Sequence, residues 1–187
     1  MRIFISGGCK NGKSYYAQRL AKAQEGGGDL YYVATMAPVD PEDDERIKRH
    51  RKERDGWGFT TMEQPVDIGD ILKKCDNSGS FLLDSLTALL FNEMVLDETE
   101  GHNDAARRTL TGLSRIMDGI GNMVIVSDYI YSDAMSYDPM TEEYIKTLAE
   151  IDRFAAKNCD AVIEIAYSSL IVHKCAEDFG ELYEKIL

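Results

Sequence analysis

No apolar run in the chain reaches the roughly 18 residues a spanning helix needs, so no membrane span is expected. The four cysteines, Cys9, Cys75, Cys159 and Cys175, are scattered and include no C-x-x-C pair. That spacing excludes a zinc site and a disulfide framework, and it points to reduced thiols in the cytoplasm. The first residues enter a strand at once, which leaves no room for a signal peptide. Basic residues are outnumbered: 21 Lys and Arg face 33 Asp and Glu, for a formal net charge of −12. Nucleic acid is therefore excluded as the main partner, because a phosphate backbone needs a basic face. There is no internal repeat and no long linker, so the 187 residues are read as one domain, 1–187, large enough to bury a core. No Asn/Thr-Lys-x-Asp guanine reader is present; Lys157-Asn158-Cys159-Asp160 resembles one only superficially.

What is present begins with Gly7-Gly8-Cys9-Lys10-Asn11-Gly12-Lys13-Ser14, which fits the phosphate-binding pattern G-x-x-x-x-G-K-[ST]. Arg2 to Ser6 before it reads as a short buried strand. Tyr15 to Ala23 after it reads as a helix, with Ala17, Leu20 and Ala21 at helical spacing. Glycines at 7 and 12 permit the backbone angles and close approach that let successive N–H groups converge on an anion at a helix N-terminus. Lys13 would then reach the β- and γ-phosphates, and the Ser14 hydroxyl would sit on Mg²⁺.

Further along, strands are expected at Leu30–Ala34, Phe59–Met62, Ser80–Leu86, Met123–Ser127, Ala161–Ala166 and Leu170–His173. Helices are expected at Glu42–Lys52, Ile68–Lys74, from the end of the Ser80 strand to Met94, and at Ala105–Met117, Met140–Lys157 and Glu177–Ile186. Leu96 to Asn103 reads as an acidic, mobile loop. Continuous apolar strands alternating with helices imply an α/β fold of P-loop NTPase type, a mostly parallel sheet covered on both faces. Ligands then sit at the carboxyl ends of the strands.

Two further residues invite a chemical reading. Asp84 ends a buried strand, where an acid can hold the Mg²⁺ shared with Ser14 or can cap the helix that follows. His50 lies in Arg46-Ile47-Lys48-Arg49-His50-Arg51-Lys52-Glu53-Arg54, with Arg46, His50 and Arg54 on one helical face. Spacing alone reads this as a solvated charged face. Guanidinium neighbours would also disfavour the imidazolium, leaving a neutral nucleophile, and could clamp a polyphosphate. His102, in a polar loop, and His173, in an apolar strand, take structural readings.

Taken in order, the glycine loop, Tyr32-Val33-Ala34-Thr35, Glu45-Arg46-Ile47-x-x-His50-x-x-x-Arg54, Thr61-Met62-Glu63-x-Pro65, Leu83-Asp84-Ser85-Leu86-Thr87 and Asn92 form a set. This set resembles the bifunctional adenosylcobinamide kinase / adenosylcobinamide-phosphate guanylyltransferase family of cobalamin biosynthesis, from about residue 1 to residue 174. The resemblance implies two reactions. A nucleoside triphosphate, GTP or ATP, phosphorylates the aminopropanol hydroxyl of adenosylcobinamide. GTP then passes its GMP through a histidine, here His50, to the phosphorylated corrinoid. It further implies Lys13 as a catalytic residue and nucleotide contacts from Gly7 to Ser14, Ala34, Thr35, Met36, Arg51, Lys52, Glu53, Arg54, Glu63 and Asp84. A homotrimer is implied as well.

The chain departs from the family pattern after its fourth strand. An Asn-Glu-Val-Gly type motif is replaced by Asp128-Tyr129-Ile130-Tyr131-Ser132-Asp133-Ala134-Met135, and the next helix carries Tyr144-Ile145-Lys146 and Asp152-Arg153 in place of Phe-Arg-Asp and Asn-Gln. Asp55 stands where proline is common, and a helix follows residue 174. These changes spare the nucleotide half and touch the half expected to handle the corrinoid. Tyr129, Tyr131, Met135 and Tyr137 read equally as a different acceptor pocket, a packed loop or an interface. A related P-loop kinase or nucleotidyltransferase with another acceptor, and a nucleotide-binding regulator without turnover, are the competing functions.

Overall fold

The computed structural model describes residues 1–38, 45, 47–49, 51–52, 54–95, 104–131 and 135–186. Its described strands form one seven-stranded sheet: β1 (Arg2–Gly7), β2 (Leu30–Ala34), β3 (Thr60–Glu63), β4 (Ser80–Asp84), β5 (Asn122–Asp128), β6 (Ala161–Ala166) and β7 (Ser169–Lys174). Their spatial order is β3-β2-β4-β5-β1-β6-β7. Every ladder is parallel except β6 with β7. Parallel strands need crossover connections, and helices supply most of them: α1 (Lys13–Ala23), α2 (Leu86–Val95), α3 (Ala105–Gly119) and α4 (Pro139–Asn158), with α5 (Phe179–Glu184) closing the chain. Among the described residues, no helix is long and apolar enough to cross a membrane.

Alternation along the strands divides the core into two layers. Ile3, Ile5, Leu82 and Val124 face α1 and α5, where Ala17, Leu20, Phe179 and Leu182 cover them. Phe4, Val33, Phe81, Leu83 and Ile125 face the other way, under α2, α3, α4 and the short helix after β3. Burial on both faces is why the central strands read as continuous apolar runs.

The sequence reading survives with local differences. Ile68–Lys73 is a 3₁₀ helix rather than an α-helix. The β4 strand stops at Asp84, and α2 starts at Leu86. The α4 helix starts one residue early because Pro139 occupies its first turn and Asp138 caps it, accepting from Met140 N at 3.0 Å and Thr141 N at 3.1 Å. His173 is not in an apolar strand. β7 is an exposed edge, and the His173 ring contacts Glu164 at 2.8 Å. Of the helix expected over 42–52, the described residues 45, 47–49 and 51–52 are helical. The expected loop 96–103 with His102, and residues 132–134, lie outside the described residues. The four cysteines are unpaired.

Candidate active site

β1 delivers the chain into the glycine loop, and α1 begins at Lys13. Gly12 has φ +89°, a left-handed conformation that glycine adopts without strain. Gly7 is required for a different reason. A Cβ there would lie 2.4 Å from the Ile165 carbonyl oxygen of β6, so only glycine lets the two backbones approach. Lys13 folds back over the loop: its ammonium donates to the carbonyls of Gly7 at 3.0 Å and Gly8 at 2.7 Å and pairs with Asp128 Oδ1 at 2.7 Å. With its side chain only 8% exposed, it is a pre-oriented cation.

Asp84 reaches the same end of the sheet from β4, two places from β1. Its Oδ2 accepts the Tyr32 hydroxyl at 2.7 Å. The capping alternative for Asp84 is set aside, because Ser85 Oγ accepts from Ala88 N at 3.3 Å and so performs that role. Tyr32 is itself fixed from above by the buried Arg54, whose guanidinium carbon lies 3.7 Å from the ring centroid. An arginine, a tyrosine and an acid thus form one stack. Thr35 is fully buried beneath it: its hydroxyl donates to the Ser85 carbonyl at 2.8 Å and accepts from Ser85 N at 2.7 Å. The side chain of Thr35 braces β2 against β4 instead of facing the cleft, and Asn92 completes the brace by donating to the Thr35 carbonyl at 2.6 Å.

These parts enclose a cleft of ≈1270 Å³. Cys9, Lys10, Asn11, Gly12, Lys13 and Ser14 form its floor, with Ala34, Met36 and Asp84 beside them. Arg51, Arg54 and Glu63 stand on the opposite wall, with Lys48 and Arg49. Arg51 pairs with Glu63 at 2.7 Å, but both side chains are more than half exposed, so this contact orients more than it stabilises. Gly7 and Gly8 lie below Lys13, and Lys52 is exposed outside the lining. His50 and Glu53 lie outside the described residues. Sequence reasoning missed the aromatic surfaces: Tyr15, Tyr32 and Trp57 also line the cleft, and the Arg19 guanidinium carbon is 4.3 Å from the Tyr15 ring centroid.

The family model for cobinamide kinase / cobinamide phosphate guanyltransferase matches residues 3–169. The chain belongs to this family. The bifunctional adenosylcobalamin biosynthesis protein CobP of Pseudomonas aeruginosa is 28% identical over 163 residues, which are 87% of this chain and 91% of that protein. Among solved structures, a KaiC-like protein from Pyrococcus horikoshii aligns with a TM-score of 0.47 and 12% identity, covering 94% of this chain and 79% of its own. The flagellar accessory protein FlaH of Methanocaldococcus jannaschii gives 0.43 and 15%, covering 93% and 78%.

In this cobinamide kinase / guanyltransferase chain the fold brings Asp128, Tyr131, Tyr144 and Asp152 close together. Asp128 ends β5 beside the glycine loop. Behind it, the Tyr131 hydroxyl donates to Asp152, and the Tyr144 hydroxyl donates to the Thr87 carbonyl at 2.9 Å. Burial, reinforced by the Asp128 charge, pushes the Asp152 carboxyl up to about 6. Burial likewise drives both tyrosine hydroxyls above their ordinary range. The tyrosine-rich stretch is divided. Tyr131 is half-buried against the core, whereas Tyr129, Met135 and Tyr137 are exposed. The signal for Asp128 was in the sequence, since it ends a buried strand as Asp84 does, but its adjacency to Lys13 depends on strand order.

Proposed function

We propose that the chain carries both activities of its family: phosphorylation of the adenosylcobinamide hydroxyl, then transfer of GMP from GTP to the phosphorylated corrinoid through His50. One observation carries the reading. Arg49 and Arg51, the residues on either side of His50, both line the cleft floored by the glycine loop. His50 thus lies in sequence between two cleft-lining residues, which supports a nucleophile over a solvated face.

In the guanylyl step, an imidazole nitrogen attacks the α-phosphorus of GTP, an N–P bond forms, and pyrophosphate leaves with the electron pair of the broken P–O bond. A phosphate oxygen of the cobinamide phosphate then attacks the same phosphorus and the N–P bond breaks, restoring the histidine. Lys13 and the cleft arginines offset charge on the departing pyrophosphate. Tyr15 and Trp57 offer flat faces for a base.

The residues present fit Mg²⁺. The Ser14 hydroxyl and the Asp84 carboxylate are hard oxygen donors. A magnesium ion there would take its remaining ligands from phosphates and water. Ser14 and Asp84 would hold it, and it would neutralise charge on the phosphates. A homotrimer in a reducing, cytoplasmic setting belongs to the same reading, and light scattering on the purified protein tests the assembly.

The decisive experiment is self-labelling with GTP carrying a labelled α-phosphate. The wild type is expected to retain an acid-labile label, and His50→Ala to retain none. An unlabelled wild type refutes the histidine route. Formation of adenosylcobinamide-GDP by the wild type separates this acceptor from any other.

A further inference from the structure

The cleft contains a second strand-end carboxylate to which the reading above gives no task. β5 neighbours β1, and Asp128 is in register with Gly7. Its Oδ1 lies 2.7 Å from Lys13 Nζ, the cation through which a P-loop reaches the transferred phosphoryl group. Asp128 is therefore one hydrogen-bonded group away from the phosphorus that an acceptor hydroxyl must attack. Asp84 is placed differently, one strand further out and bonded to Tyr32.

The position of Asp128 is also fixed. Its backbone N–H donates to Thr87 Oγ1 at 2.9 Å, and Thr87 is in turn held through its carbonyl by Tyr144. The next N–H, of Tyr129, donates to the Gly7 carbonyl at 2.9 Å. The Asp128 side chain is 22% exposed and lines the cleft. Thr87 and Tyr144 thus hold the strand end that carries this carboxylate from behind.

We propose that Asp128 is the general base of the kinase step, a role that rests on the two-activity reading above. As the acceptor oxygen bonds to the γ-phosphorus, the hydroxyl proton passes to the Asp128 carboxylate. The bond from the γ-phosphorus to the β,γ-bridging oxygen breaks, and the nucleoside diphosphate leaves with that electron pair. The guanylyl step makes no such demand. Its attacking atoms are an imidazole nitrogen lone pair and then a phosphate oxygen, and neither must lose a proton to attack. The proposal therefore separates the two activities.

The test measures both rates in Asp128→Asn: transfer of labelled γ-phosphate to adenosylcobinamide, and self-labelling from α-labelled GTP. The kinase rate is expected to fall about 10²-fold or more, while labelling falls less than about tenfold. A kinase rate within a few-fold of wild type overturns the proposal, as does an equal fall in both rates. If Asp128→Asn does not fold, Asp128→Glu keeps the charge opposite Lys13 and moves the carboxylate by one methylene. A kinase loss of about tenfold with labelling retained is then expected, and an unchanged kinase rate overturns the proposal. Failure of the wild type to phosphorylate or to self-label counts against the two-activity reading instead.

Discussion

Asp152 carries the clearest energetic consequence of a single side chain. It is 6% exposed and lies beside the buried Ser127 hydroxyl. The groups facing it are Tyr131, Tyr144 and Asp128. Its carboxyl rises from an ordinary 3.8 to about 6. The folded state thus holds this proton more tightly than the unfolded state. The corresponding stability is complete below about pH 4 and is lost as pH rises through about 6. Asp152→Asn removes the titration but keeps an acceptor for Tyr131. Denaturant melts should show the variant about 1–3 kcal/mol more stable than wild type near pH 7.5, with the gap closing toward pH 4. A gap that does not vary with pH would mean that folding does not raise the Asp152 carboxyl. Side chains like this one were legible only in part. Lys13 and Ser14 could be read because a local motif fixes them. Asp128 could be read as a strand-end acid but not as the partner of Lys13, and Asp152 and Tyr131 could not be read, because residues 131 and 152 meet through packing that no local pattern encodes.

The glycine loop and its flanking elements were the most legible part of the chain. Strand, turn and helix are contiguous there, and each has its own periodicity. The role of Gly7 was still only half visible: its lack of a Cβ serves β6, some 158 residues away, by admitting the Ile165 carbonyl. Gly7→Ala forces a backbone shift between β1 and β6 and should cost about 1–3 kcal/mol in a denaturant melt, with weaker nucleotide binding. Gly121→Ala is the matched control, since a Cβ there meets nothing within 4 Å and φ is not positive. It should stay within about 0.5 kcal/mol of wild type. Equal losses for the two would place the effect outside the β1–β6 contact. Ile68–Lys73 was legible as helical but not as 3₁₀. Thr35 was read as a nucleotide contact, yet its hydroxyl is spent on Ser85, a partner 50 residues distant.

The molecule as a whole carries a net charge of −12, yet it gathers Lys10, Lys13, Lys48, Arg49, Arg51 and Arg54 around one cleft. An acidic protein with a cationic cleft favours small polyanions over nucleic acid. The cleft walls come from the ends of β2, β4 and β5, the glycine loop after β1 and the arginine-rich segment, so a bound triphosphate would bridge the sheet edge to that segment. Ligand that binds only the folded state, at 100-fold its Kd, adds about 2.7 kcal/mol of stability. For a chain of this size, each kcal/mol shifts Tm by about 2–4 °C, so GTP with Mg²⁺ should raise Tm by about 5–10 °C. Lys13→Ala removes the cation anchored on Gly7, Gly8 and Asp128 and should abolish most of that shift. His50→Ala should keep it, because in the proposed route the imidazole would attack the nucleotide without anchoring its phosphates. A thermal shift lost equally in both variants would mean that the histidine anchors the nucleotide as much as the glycine loop does, and the division of labour between loop and arginine segment would have to be given up.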